Sequence, residues 1–243
     1  MTSSVQSISL VNLSLAFIPV IAALIILIKW SLDSKQAVHA IVRMLIQLLL
    51  IGFLLTFIFQ SDSVWVVLLV LSVMIICSSW IALNSMSKHR MALFKYAFVA
   101  IIVGGGLTLF VMSQGVLALN PWYWPQYMIP LAGMIFANAM NSVSLAGDRI
   151  LAELSRGASY PQARNTAMQT SLIPITNSLF AVGLVSLPGM MTGQILSGVS
   201  PMIAVRYQIM VMCMIFASSV ICAALFMVLA KPVLNTQART HED

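Results

Sequence analysis

Seven long apolar runs, parted by short hydrophilic breaks, fix the class of fold open to this chain. The runs are Leu10–Ile28, Ala37–Phe59, Val64–Leu83, Leu93–Met112, Tyr127–Ala146, Leu172–Leu196 and Met202–Ala230. A helix needs about 20 mostly apolar residues to cross the hydrocarbon of a bilayer. Within that hydrocarbon no water meets the backbone N–H and C=O groups, so each run must close its own hydrogen bonds as an α-helix. Charged residues are 7% of the chain, against roughly 25% in soluble domains, and that is too few to cover a soluble surface. The expected fold is all-α: one polytopic membrane bundle over residues 1–243, with about seven transmembrane helices and no separate globular domain. Pro174, Pro188 and several glycines interrupt the sixth run.

The net charge of +6 is spread over the breaks rather than gathered on one face, which argues for control of topology and against a nucleic-acid partner. Lys29, Lys35 and Arg43 flank the first break; Lys88, Arg90 and Lys95 the third; Arg149, Arg156 and Arg164 the fifth; Lys231 and Arg239 the tail. The second break carries only Asp62, and the fourth, 113–126, carries no charge. Of the 12 basic residues only Arg206 departs from this alternation. The expected topology therefore has the N-terminus outside and the C-terminus in the cytoplasm. The first basic residue follows the first run, so that run reads as a retained helix rather than a cleaved signal. The segment Asn120–Tyr127 holds Trp122, Tyr123, Trp124 and Tyr127. Such rings sit at lipid headgroups, although a ligand cage could use the same residues.

Some chemistry is excluded. None of the expected spans contains Asp or Glu, and His39, His89 and His241 fall in or beside the basic breaks, so no titratable relay for protons is in view. No GxxxxGK[ST] phosphate loop occurs, and Gly104-Gly-Gly106 lacks its lysine and reads as close helix packing. Cys77, Cys213 and Cys222 lie inside apolar runs without paired spacing and read as packing residues. The chain is expected to be no enzyme, to bind no cofactor itself and to draw any energy from a partner; metal ligands, if any, stay unassigned.

Residues 147–171 form the one long mixed-polarity segment. Asp148–Ser155 has a helical pattern, Arg156–Pro161 breaks it, and Ser159 with Gln162 reads as a capping box opening a second helix at Tyr160. Two short helices with a Gly157-Ala158 corner could insert into a cleft on a soluble protein; an ordinary interfacial loop is the plainer reading.

Here the residues carry a resemblance. Glu153, Gly157, Ala158, Ser159, Gln162 and Ala163 resemble, in part, the coupling-helix pattern E-x-x-x-G-A-x-x-x-Q of ABC importer permeases; Pro174 stands later than that pattern places its proline. Ile129–Met134, Asn138–Met140, Gly157–Ala163, Val182–Gly193 and Tyr207–Met210 together are similar to the FetB-type permease family, the membrane subunits of iron-exporting bacterial ABC transporters with plant relatives linked to aluminium tolerance. The resemblance implies a multi-pass protein of the bacterial inner membrane. It implies a homodimer of this chain bound to two FetA-type ATP-binding subunits, which would carry ATP and Mg. Relatives differ in substrate, so the resemblance points to export of iron or another metal and leaves open a chelated metal, an organic anion or a nucleotide sugar. Outside that resemblance, a non-transporting scaffold and a channel remain open.

Several residues are candidates for a path or hinge. Ser186, Pro188, Gly189, Met190, Met191 and Gly193 fall where Pro188 breaks the helix, and broken helices line transport paths or pack in dimers. Asn138, Asn141 and Asn177 could line a polar cavity or hydrogen-bond between helices. Met190, Met191, Met210, Met212 and Met214 could be soft ligands or adaptable packing. Arg206 either snorkels to outer headgroups or faces a cavity.

Overall fold

The computed structural model describes residues 8–61 and 63–239; Asp62 and His241 lie outside them. Two compact units divide the chain, Met1–Ser61 and Asp62–Asp243.

The first unit is a helical hairpin. Helix α1 (Leu10–Lys29) starts at Ser9, whose Oγ accepts the Asn12 N–H at 3.1 Å. Helix α2 (Ser34–Phe59) starts at Asp33, whose carboxylate accepts the Gln36 N–H at 3.0 Å. That acidic cap sits at the positive end of the helix dipole and explains a start three residues before the apolar run.

The second unit is a bundle of α3 (Val64–Ala82), α4 (Arg90–Val116), α5 (Pro125–Leu154), α6 (Tyr160–Ala181), α7 (Gly189–Leu196) and α8 (Pro201–Arg239). Helices α5 and α8 form its centre. Ile135, Ala139, Val143, Ala146 and Ile150 recur at helical spacing along the buried stripe of α5, and Met214, Cys222, Phe226 and Ala230 are buried along α8. Lipid tails are as apolar as these side chains, so close packing rather than water exclusion holds the helices together. The glycine run in α4 serves that purpose. A Cβ on Gly104 would lie 2.7 Å from Cys222 Sγ of α8, and one on Gly105 would lie 3.0 Å from the Phe136 ring of α5. The backbone widens to a π-helical turn at Ile101–Gly105, and the Thr108 hydroxyl donates to the Gly104 carbonyl at 2.8 Å. At the other end of α4, Arg90 donates to the Trp80 carbonyl at 2.6 and 3.1 Å while its guanidinium lies 3.9 Å over the Trp80 ring, fastening α4 to the end of α3.

By length and composition α1, α2, α3, α4, α5 and α8 are apolar enough to cross a membrane. The sixth expected span, Leu172–Leu196, is not one of them. The structure splits it into α6, which starts twelve residues earlier at Tyr160, and the eight-residue α7. Pro174 does not end α6, which runs through it to Ala181. The expected separate helix at Asp148–Ser155 is instead the end of α5: Gly147 does not interrupt the helix but packs against Met86 and Phe226, and the buried stripe continues through Ile150 to Leu154. A Cβ on Gly147 of α5 would come within 3.1 Å of Phe226 of α8, and Tyr127 of α5 lines one cleft with Tyr207 of α8. Helices α5 and α8 are thus parallel neighbours, and α6 and α7 lead from the Leu154 end of the bundle back toward its Pro125 end, where α8 begins.

Gly104→Val should lower the thermal unfolding midpoint in detergent, by the equivalent of about 1–3 kcal/mol of overpacking. Gly106→Val, where an added Cβ meets nothing within 4 Å, should leave the midpoint near that of the parent. Light-scattering or fluorescence melts of both variants measure the difference.

Candidate functional site

Two places in the bundle combine residues singled out from the sequence. The first is the corner between α5 and α6. Helix α5 closes with Gly157 in the left-handed region at φ 82°; the Ala158 N–H returns to the Glu153 carbonyl at 3.2 Å and the Gly157 N–H to the Leu154 carbonyl at 3.0 Å. This is a Schellman closure, and it favours glycine at 157, with asparagine the tolerated alternative. Two residues later α6 opens as expected. The Gln162 Oε1 accepts from the Ser159 N–H at 3.2 Å and from the Ser159 hydroxyl at 2.8 Å, and Pro161 occupies the first turn. Arg156, Gly157, Ser159 and Gln162 are exposed, Ala158 is half-buried and Ala163 is fully buried. Glu153 faces Arg149 at 2.7 Å and Arg156 at 3.5 Å, so the acid is neutralised by its own helix end. Exposed pairs of this kind add at most about 1 kcal/mol. What the corner presents outward is a backbone-rich, cationic surface.

The corner is tied to α8. The Tyr160 hydroxyl donates to the Met227 carbonyl, and the Lys231 ammonium lies 5.3 Å from the Tyr160 ring centroid. Burial raises the Tyr160 pKa, with Arg164 opposing, so the phenol remains a donor throughout the neutral range. Nothing in the sequence marks this contact beyond an aromatic residue at a helix start.

The second place is the break between α6 and α7. Helix α6 ends at Ala181, and residues 182–188 form a tight turn. Gly183 takes φ 84° and donates to the Ser186 carbonyl at 3.0 Å, while the Val185 and Ser186 N–H groups converge on the Ala181 carbonyl at 2.8 and 3.1 Å. Pro188 caps α7 rather than kinking a continuous helix. A cleft of about 360 Å³ opens where this break meets α5 and α8. It brings together Asn138, Ser186, Pro188, Gly189 and Met190 from the sequence candidates. The Asn138 Nδ2 donates to the Met134 carbonyl of its own helix at 2.8 Å, not to a neighbouring helix. Met191 lines a second cleft of similar size, which Gln208 also lines. Asn141, Asn177, Gly193 and Arg206 are exposed and line neither cleft. Gln208 was overlooked among the candidates. It is 6% exposed, lines both clefts, and its Oε1 is buried without a hydrogen-bond partner. A lone glutamine in the apolar run Met202–Ala230 was the available signal.

Comparison with known proteins adds a family. Residues 10–234 match the profile described as "Uncharacterised protein family (UPF0014)". Over 224 residues the chain is 36% identical to the "Probable iron export permease protein FetB" of Escherichia coli, covering 86% of this chain and 85% of that one. A UPF0014 membrane protein of Synechocystis is 36% identical over 82% of this chain and 83% of its own length. The Arabidopsis "Protein ALUMINUM SENSITIVE 3" is 31% identical over 93% of this chain and 88% of its own. No solved structure matches.

Tyr160→Phe removes one hydrogen bond and keeps the ring. It should destabilise the purified protein by about 1 kcal/mol, read as a lower melting midpoint, with no change in helical content by circular dichroism.

Proposed function

The chain belongs to the UPF0014 family of membrane proteins, and from that premise we propose that it is the permease subunit of an ABC transporter. In this reading ATP is hydrolysed, with its Mg, on a separate FetA-type subunit, and this chain provides the path. The observation that carries the reading is the α5–α6 corner: an exposed Gly157 with open space around it, between a Schellman closure and a capping box, at the joint of two long helices. A rigid, small-residue turn suits insertion into a partner's cleft, and the Tyr160–Met227 contact gives it a grip on α8, whose other half lines the Gln208 clefts. ATP-driven movement at the corner would then reach the break at 182–188.

Two copies of the chain would form the path. Gly189 and Gly193 stand one turn apart on α7, and an added Cβ on either meets nothing within 4 Å in the single chain, so this small-residue face is free to pack on a second copy. The alternation of basic breaks supports a cytoplasmic corner in a bacterial inner membrane. Outward transport of iron or another metal is supported by the printed name of the Escherichia coli relative. Other cargo remains the second reading, favoured by the scarcity of carboxylates in the bundle: Asp148 and Glu153 are those of the described residues there, and neither lines a cleft named above.

Gly157→Arg should abolish co-purification of the chain with its ATP-binding subunit. Gly157→Asn, which tolerates the left-handed backbone, should retain it. Retention of the partner by the arginine variant would sink the docking assignment.

A further inference from the structure

The cleft at the α6–α7 break continues toward the Pro125 end of the bundle. A larger cleft of about 470 Å³ adjoins it, and Met134 of α5 and Met190 of α7 line both. Met212 of α8 completes the walls of the first, beside Gln208. Methionines from three helices therefore line one cleft. Gln208 lines the first cleft and Gln194 the adjoining one, and the Oε1 atom of each is buried without a hydrogen-bond partner. Buried amide oxygens are seldom left unpaired, because each one forfeits its hydration.

The donors thus collected are neutral Lewis bases. Thioether sulfur is soft and selects copper(I)-like ions, and an amide oxygen can complete such a shell. No carboxylate lines either cleft. The cost of moving an ion into a low-dielectric space grows with the square of its charge, so an uncompensated divalent ion costs roughly four times as much as a monovalent one. Bare iron(II) or iron(III) would meet that cost without a counter-charge, whereas a soft monovalent ion meets a smaller cost and gains sulfur ligands.

We propose that the clefts joined at Met134 and Met190 form a binding site for a soft monovalent metal ion of the copper(I) or silver(I) class, held by the thioethers of Met134, Met190 and Met212 with the Gln208 amide oxygen. The site is a property of this chain alone and stands whether or not an ATPase drives it. It also constrains the transport reading: iron passing this cleft would travel wrapped in its own ligands.

Silver(I) is the probe, because it needs no reductant. Cys77, Cys213 and Cys222 bind silver and are first replaced by alanine, and the full-length protein is purified in detergent in chloride-free buffer. Equilibrium dialysis should find about one tight silver(I) per chain, not displaced by equimolar iron(II). Met134→Leu/Met190→Leu/Met212→Leu should weaken this binding about 100-fold, whereas Met91→Leu, at an exposed position, should not. X-ray absorption of the silver-loaded parent should show sulfur neighbours, which without cysteine can only be thioethers; that measurement stands even where the triple variant fails to fold. No tight silver, a shell of only oxygen or nitrogen, displacement by iron(II), or a triple variant that folds and binds as the parent does would each overturn the proposal.

Discussion

Inside hydrocarbon an unpartnered backbone N–H or C=O costs several kcal/mol, and that penalty governs how this chain is built. It makes helices of the apolar runs, and it makes the turn at 182–188 the exception to be explained. There the chain leaves the helix beside α5 and α8, satisfies the Gly183, Val185 and Ser186 N–H groups within the turn, and starts again at Pro188. Within hydrocarbon, non-helical backbone is tolerated where it is covered by protein or lines a cavity. The clefts around Gln208 are the cavity, and the apolar side chains of Leu184 and Val185, 90% and 85% exposed, mark the side left for another surface to cover.

The two sites share their supporting helices. Helix α6 begins at the capping box of the corner and ends at the break, and α8 runs parallel to α5 with Gln208 beside the break and Met227 at the corner's end. A displacement of the α5–α6 corner would be felt in both helices that frame the clefts. Packing at Gly104, where α4 approaches α8 too closely for a side chain, holds the middle of α8 against the bundle. Along α8 the close Gly104–Cys222 approach thus lies between Gln208 and Met227.

Much of this was legible in the sequence, for reasons that differ residue by residue. Hydropathy found six of the helices because spans are long and the apolar signal is summed over many positions. Ser159 and Gln162 announced α6 to the residue, since a capping box is local chemistry. Pro188 announced a break but not its form: the helix ends seven residues earlier, at Ala181, because Gly183 can adopt the left-handed turn that lets Ala181 collect three N–H groups. Pro174 was a poor guide, as a proline in a long helix can be accommodated without ending it. Sequence spacing could not bring Asn138, Met190 and Gln208 into one cleft, nor set Tyr160 against Met227, because those contacts depend on how α5, α7 and α8 pack. Asn141 and Asn177 looked equivalent to Asn138 by composition; helical phase turns them outward.

The account rests on a membrane path whose energy comes from elsewhere. Its most direct test is transport in liposomes holding this chain with its ATP-binding subunit, loaded in turn with iron(II), chelated iron and silver(I). The account predicts movement of at least one of these cargoes that requires ATP hydrolysis and both subunits, with the cargo stimulating the ATPase. Movement without nucleotide, or an ATPase indifferent to both the chain and every cargo, would contradict it.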